Sequence, residues 1–172
     1  MNDPAERQAT LKAVLHYFYQ NHTRSGAHTR HDLKYHLVWI TKYRRSFIVG
    51  TMAERLKQIL AEIAAEHKVH IIALEVMPEH VHMLVQAPPK YSPSQVAQLF
   101  KGISSKCMRE EFLDKIKRYI WKEGTLWARG YYIASVANGV TAEVVEEYIN
   151  NQKSQEGATK ANSTLRQTDF FP

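Results

Sequence analysis

A chain of 172 residues, 44% of them hydrophobic, has room for one core-bearing domain plus tails. Its formal charge of +6 and pI near 9.4 point to a polyanionic partner, a sign shared by ribosomal and membrane-surface proteins. The single Cys107 excludes an internal disulfide and a cysteine-built metal site. The absence of any apolar run near the roughly 20 residues of a membrane span, or of a signal-peptide apolar region, predicts a cytoplasmic protein.

Asp3, Pro4 and Glu6 make a capping-box entry, and Leu11, Val14, Leu15 and Phe18 follow at helical spacing, so residues 3–20 are expected to form an amphipathic helix. Its single apolar stripe needs burial against the core or a second subunit. Residues 21–31 are polar, with Ser25-Gly26 and three irregularly spaced histidines, and are expected to be a linker. Residues 1–33 are thus taken as an N-terminal extension.

Tyr35 to Thr41 alternates aromatic and β-branched residues and is the first expected strand. The turn after it, Lys42, Tyr43, Arg44 and Arg45, interleaves cations with an aromatic ring. That combination suits phosphate contact with base stacking, although such turns are commonly plain solvated loops. Thr51 is the expected cap of a helix whose core stripe runs Met52, Leu56, Ile59, Leu60 and Ile63 and ends near His67. Val69 to Val76 reads as a buried strand turned by Met77-Pro78-Glu79 into the next.

That next strand carries the chemistry. In His80-Val81-His82-Met83-Leu84-Val85 the period of two sends both histidines to one face and Val81 to the other. Side chains at i and i+2 leave the backbone about 7 Å apart, and two imidazoles leaning together from there can hold one divalent ion. Two imidazoles on a solvated sheet face is the plainer alternative.

Ser92-Pro93-Ser94 opens a second long helix with Val96, Leu99, Phe100, Ile103, Cys107 and Met108 inside and Lys101, Lys106 and Arg109 on its polar side. Trp121 and Trp127 are expected as core anchors, with turns at Gly124 and Gly130. Tyr131 to Ala137 is the last expected strand. Thr141 caps a final helix in which Tyr148 and Gln152, four residues apart, share one face. Beyond Gln152 the composition turns polar without periodicity, as in a flexible tail, residues 153–172.

His80-Val81-His82, Tyr148 with Gln152, and the runs Lys34-Tyr35-His36-Leu37-Val38-Trp39, Lys42-Tyr43-Arg44-Arg45, Lys101-Gly102 and Arg129-Gly130-Tyr131-Tyr132 together resemble the single-tyrosine HUH transposases, the TnpA type of small insertion sequences. The likeness covers residues 34–152. It implies an α+β fold of ferredoxin-like, split βαβ kind, an antiparallel sheet with helices mainly on one face, in agreement with the strand and helix order read above. It further implies Tyr148 as nucleophile, His80, His82 and Gln152 as ligands of Mg2+ or Mn2+, and Lys42, Tyr43, Arg44, Arg45, Lys101, Lys106 and Arg129 as DNA contacts. The implied substrate is single-stranded DNA bearing hairpins, cut and rejoined through a 5′-phosphotyrosine by a homodimer that shares the Tyr148 helix.

Other readings are a domesticated HUH endonuclease acting on host palindromes, a relaxase or replication initiator, and a basic nucleic-acid-binding module with incidental histidines. Histidine-triad hydrolases also alternate histidines on a strand, but their third would fall at Leu84.

Overall fold

The computed structural model describes residues 24–25, 28, 30–120, 125–136, 144–147 and 149. The expected N-terminal helix therefore lies outside the described residues, as do Trp121, Thr141 and the tail. The stretch expected to be linker carries a short antiparallel ladder instead, β1 (Arg24–Ser25) on β2 (Arg30–His31).

The main body runs β3 (Leu33–Ile40), a 3-10 turn (Lys42–Arg44), α1 (Thr51–His67), β4 (His70–Val76), β5 (His80–Ala87), α2 (Pro93–Glu111), the one-turn α3 (Leu113–Ile116) and β6 (Tyr132–Val136). The strands form one sheet in the order β4-β5-β3-β6, and every neighbouring pair is antiparallel. This is the ferredoxin-like split βαβ arrangement expected of the sequence. None of the described helices is long and apolar enough to cross a membrane.

Local chemistry accounts for the element ends. At α2 the Ser92 hydroxyl accepts from the Gln95 N–H at 3.3 Å and the Gln95 side chain accepts from the Ser92 N–H at 2.8 Å, a reciprocal capping box with Pro93 behind it. At α1 the expected cap, Thr51, is instead the first helical residue. Gly50 occupies the cap at φ 56° and ψ −128° with no side-chain bond, a backbone shape that glycine adopts freely and β-branched threonine resists.

The core lies between the sheet and the two long helices. Leu37 and Trp39 from β3 and Val81, Met83 and Val85 from β5 are fully buried against Leu56, Ile59 and Leu60 of α1 and Val96, Phe100 and Met108 of α2. Trp127 is the anchor the sequence led us to expect: its ring meets Trp39 edge to face at 5.9 Å. Its Nε1 donates to the Ser104 Oγ at 3.0 Å, and the Leu126 N–H donates to the Ser105 Oγ at 2.9 Å. Residues 125–128 are thereby slung between α2 and the end of β3, where Ala128 N–H donates to Ile40 O and Lys42 N–H to Leu126 O.

A second, smaller cluster sits on the opposite face. Leu84, Ala73 and Val136 bury against Ile149, with Ile72 and Val145 beside them. The helical residues 144–147 and 149 thus supply apolar cover to the face that the long helices leave open.

Candidate metal and nucleic-acid site

β5 lies between β3 and β4, with His80 opposite Ile40, and His82 opposite Val38 on one side and Glu75 on the other. The period of two holds, and the two imidazoles leave the same face with ring centroids 4.8 Å apart. The plainer alternative, a solvated face, does not hold. His80 and His82 are 4% and 3% exposed, and all eight residues of β5 are buried, because both faces of the strand are covered.

Each imidazole is engaged through Nδ1. His80 Nδ1 lies 3.0 Å from the Glu79 carboxylate, and that bond holds the Glu79 carboxyl below the usual carboxylate range. His82 Nδ1 lies 3.4 Å from His36 Nε2. Burial, reinforced by neighbouring His80 and His36, pushes His82 down to about 3; burial lowers His36 as well. His82 is thus neutral near neutral pH, the form in which imidazole binds a metal.

The Nε2 atoms of both rings are buried, and that of His80 has no hydrogen-bond partner among the described residues. A buried ring nitrogen without a partner calls for an explanation, and a divalent ion would satisfy it: a buried Nε2 on each ring and an Nδ1 partner for each are what a histidine-bound metal requires. Among the described residues no group of three or more His, Cys, Asp or Glu converges to hold an ion. An ion held there would need further ligands from elsewhere. Gln152 and the expected nucleophile Tyr148 both lie outside the described residues. Their neighbour in sequence, Ile149, is buried on Leu84, two residues along β5 from His82.

The expected DNA-contact residues fall into two groups. Lys42, Tyr43, Arg44 and Arg45 form a turn in which Tyr43 (φ 60°) and Arg44 (φ 51°) take left-handed backbone angles, uncommon for residues other than glycine. Bonds from Arg44 N–H to Thr41 O and from the Thr41 hydroxyl to Arg45 O hold that shape, and the Tyr43 ring is 55% exposed. The turn is joined to the histidine strand: Thr41 N–H donates to Glu79 O, and Phe47 and Ile48 N–H both donate to Pro78 O.

Lys101, Lys106 and Arg129 line a separate groove of about 790 Å3 between α2 and residues 125–131, together with Arg109, Trp127 and Tyr131. Lys106 and Arg129 are exposed. Lys101 is placed differently from a solvated cation. Its Nζ donates to the carbonyls of Ala128, Arg129 and Gly130 at 3.0, 3.0 and 2.8 Å and sits 5.0 Å from the Tyr131 ring centroid. Burial lowers it to about 8.

Residues 29–152 match the family described as "Transposase IS200 like", and the chain belongs to that family. It is 36% identical over 126 residues to the ISDra2 transposase TnpA of Deinococcus radiodurans, covering 73% of this chain and 88% of that protein. The transposase of insertion sequence element IS200 from Salmonella typhimurium is 35% identical over 133 residues, 77% of this chain and 85% of that one. Among solved structures, a candidate transposase from Deinococcus radiodurans R1 superposes with a TM-score of 0.60 at 36% identity, covering 75% of this chain and 97% of that one. A REP-associated tyrosine transposase bound to a REP hairpin shares the fold, with a TM-score of 0.52 at 14% identity over 86% of this chain and 89% of that one.

Two residues beside the histidines, His36 and Glu79, escape a reading of the sequence for site residues. The signal for His36 is its place in β3, where it alternates with core Leu37 and so faces the same way as the pair. The signal for Glu79 is its place as the acid preceding His80. Ser104 and Ser105 escape as well, since a serine on a helix gives no sign that a distant tryptophan will need an acceptor.

Proposed function

We propose that this transposase cuts and rejoins single-stranded DNA at hairpin-bearing element ends by transesterification through Tyr148. The Tyr148 oxygen attacks the scissile phosphorus, the tyrosine–phosphorus ester forms as the bond to the 3′ oxygen breaks, and a 3′ hydroxyl is released. The 5′ phosphate remains on the tyrosine, so a second 3′ hydroxyl can reverse the step and rejoin strands without a nucleotide cofactor. A free phenol titrates near 10, so the nucleophile needs an electrophilic phosphorus and help in losing its proton.

His80 and His82, with the Gln152 amide oxygen, are the residues that would hold Mg2+ or Mn2+, which when bound polarises the non-bridging phosphate oxygens and stabilises the departing 3′ oxygen. The exposed Tyr43 ring and the cations of Lys42, Arg44 and Arg45 provide stacking and phosphate contact beside the histidine strand. Lys106 and Arg129 offer a second cationic surface in the groove between α2 and residues 125–131. The REP hairpin bound by the REP-associated tyrosine transposase is consistent with a folded single strand as substrate. A homodimer that exchanges the Tyr148 helix would use the surface around Leu84 that now receives Ile149.

The observation that carries this reading is the buried imidazole pair, one of whose inward nitrogens has no partner among the described residues, on the sheet face where Ile149 is packed. Incubation with a hairpin-bearing single-stranded oligonucleotide and Mn2+ tests it. The expected product is a denaturation-resistant adduct, lost in Tyr148→Phe with DNA retention intact and reduced with metal dependence in His80→Ala. DNA retention without any adduct would leave a binding module; an adduct that survives Tyr148→Phe would move the nucleophile elsewhere.

A further inference from the structure

We infer that His36 and Glu79 are positioning residues that aim the inward nitrogens of His82 and His80 at one ion, an inference that rests on the metal reading above. A histidine that offers Nε2 to a metal carries its proton on Nδ1, and that proton needs an acceptor which also fixes the ring's rotation. Each ring has such an acceptor of a different kind. For His80 it is the Glu79 carboxylate at 3.0 Å, a residue whose side chain is 18% exposed on the turn before the strand. For His82 it is His36 Nε2 at 3.4 Å, reached across the ladder, since His36 stands opposite Leu84, one face-sharing position from His82.

His36 is itself held in place. Its ring is 22° from parallel to that of His82, and Tyr132 of β6 meets it edge to face at 5.8 Å. Three neighbouring strands, β6, β3 and β5, thus line up Tyr132, His36 and His82 in a row, while the chain's own turn supplies Glu79 to His80. Rotating either imidazole about χ2 would break its Nδ1 contact and re-aim its buried Nε2. The two contacts together therefore fix the directions in which the two nitrogens are offered.

Titration of the full-length chain with Mn2+, followed by loss of the free-ion EPR signal, separates the possibilities. His36→Phe, which keeps a ring but no acceptor, is expected to weaken Mn2+ binding by about 10- to 100-fold. His36→Gln, whose amide oxygen can accept in place of Nε2, is expected to restore most of the loss at an unchanged melting temperature. Glu79→Ala should weaken binding similarly, with Glu79→Gln partly restoring it, and its partly exposed turn position makes it readable even where His36→Phe fails to fold. Wild-type affinity in both His36→Phe and Glu79→Ala, with binding abolished by His80→Ala, would overturn this inference and leave the metal reading standing. Binding unchanged in His80→Ala would overturn the metal reading itself.

Discussion

The two faces of β5 are equally buried and built from opposite materials. Toward the long helices it presents Val81, Met83 and Val85, which interlock with Trp39, Leu56 and Phe100. On the other face it presents His80 and His82 beside Leu84, with His36 and Glu79 as their hydrogen-bond partners. Apolar burial on the first face stabilises the fold without direction, whereas burial on the second has to be satisfied atom by atom. One face therefore answers to volume and the other to geometry, and perturbing each should produce a different kind of damage.

The largest expected effect on stability is Phe100→Ala. Phe100 is fully buried, and emptying such a site costs about 3–5 kcal/mol, read as a shift of the urea midpoint at constant slope. His80→Ala in metal-free protein should cost less than about 1 kcal/mol, because it also removes a buried nitrogen that lacks a partner among the described residues. Equal losses for the two variants would show that the histidine face is part of the structural core.

Acid should act on the histidine face selectively. His82 is held at about 3, against an ordinary 6.5, by burial and by the neighbouring His80 and His36. The unfolded chain therefore takes up a proton that the folded one refuses. Stability is fully present above about pH 6.5 and falls as the pH drops from there toward 3. At about 1.4 kcal/mol per pH unit, His82 alone accounts for roughly 2 kcal/mol between about pH 6.5 and 5. Urea midpoints at about pH 7 and pH 5 measure this, and His82→Leu should flatten the dependence. A wild-type midpoint that ignores pH over this range would mean that His82 is free to charge inside the fold.

What the chain discloses in advance follows the same division. Hydrophobic period and turn chemistry located β4, β5 and both long helices and gave the sheet its class, because those signals are local and repeat every two or about 3.6 residues. The period also put both histidines on one face. It could not show that this face is buried, because Ile149, which packs on it at Leu84, is distant in sequence. The bond between His36 and His82 spans 46 residues and depends on strand register, which periodicity does not specify. Thr51 misled for a local reason: the chain enters α1 through a positive φ, and the glycine one residue earlier takes the cap. The setting of Lys101 was hidden for a tertiary reason, since nothing in the helix pattern shows that a loop will bring three carbonyls to its ammonium.

That distinction between polar groups committed to the fold and polar groups left outside extends to the cations of α2 and gives the smallest expected effect. Lys101 is consumed by Ala128, Arg129 and Gly130, whereas Lys106, on the same groove, is exposed. If the groove tracks phosphates, Lys106→Ala should lower the slope of log affinity against log salt by about one while leaving stability within about 0.5 kcal/mol. Lys101→Met should do the reverse. Its charged hydrogen bonds are offset by the cost of half-burying the ammonium, which is why burial can lower it to about 8, so the net loss of stability should be about 1 kcal/mol, with little change in the salt slope. Single-stranded DNA retention measured between about 50 and 200 mM salt for the two variants decides it. A reduced slope in Lys101→Met would show that the lysine leaves its carbonyls to meet a phosphate, and the 128–130 loop would then have to move when DNA binds.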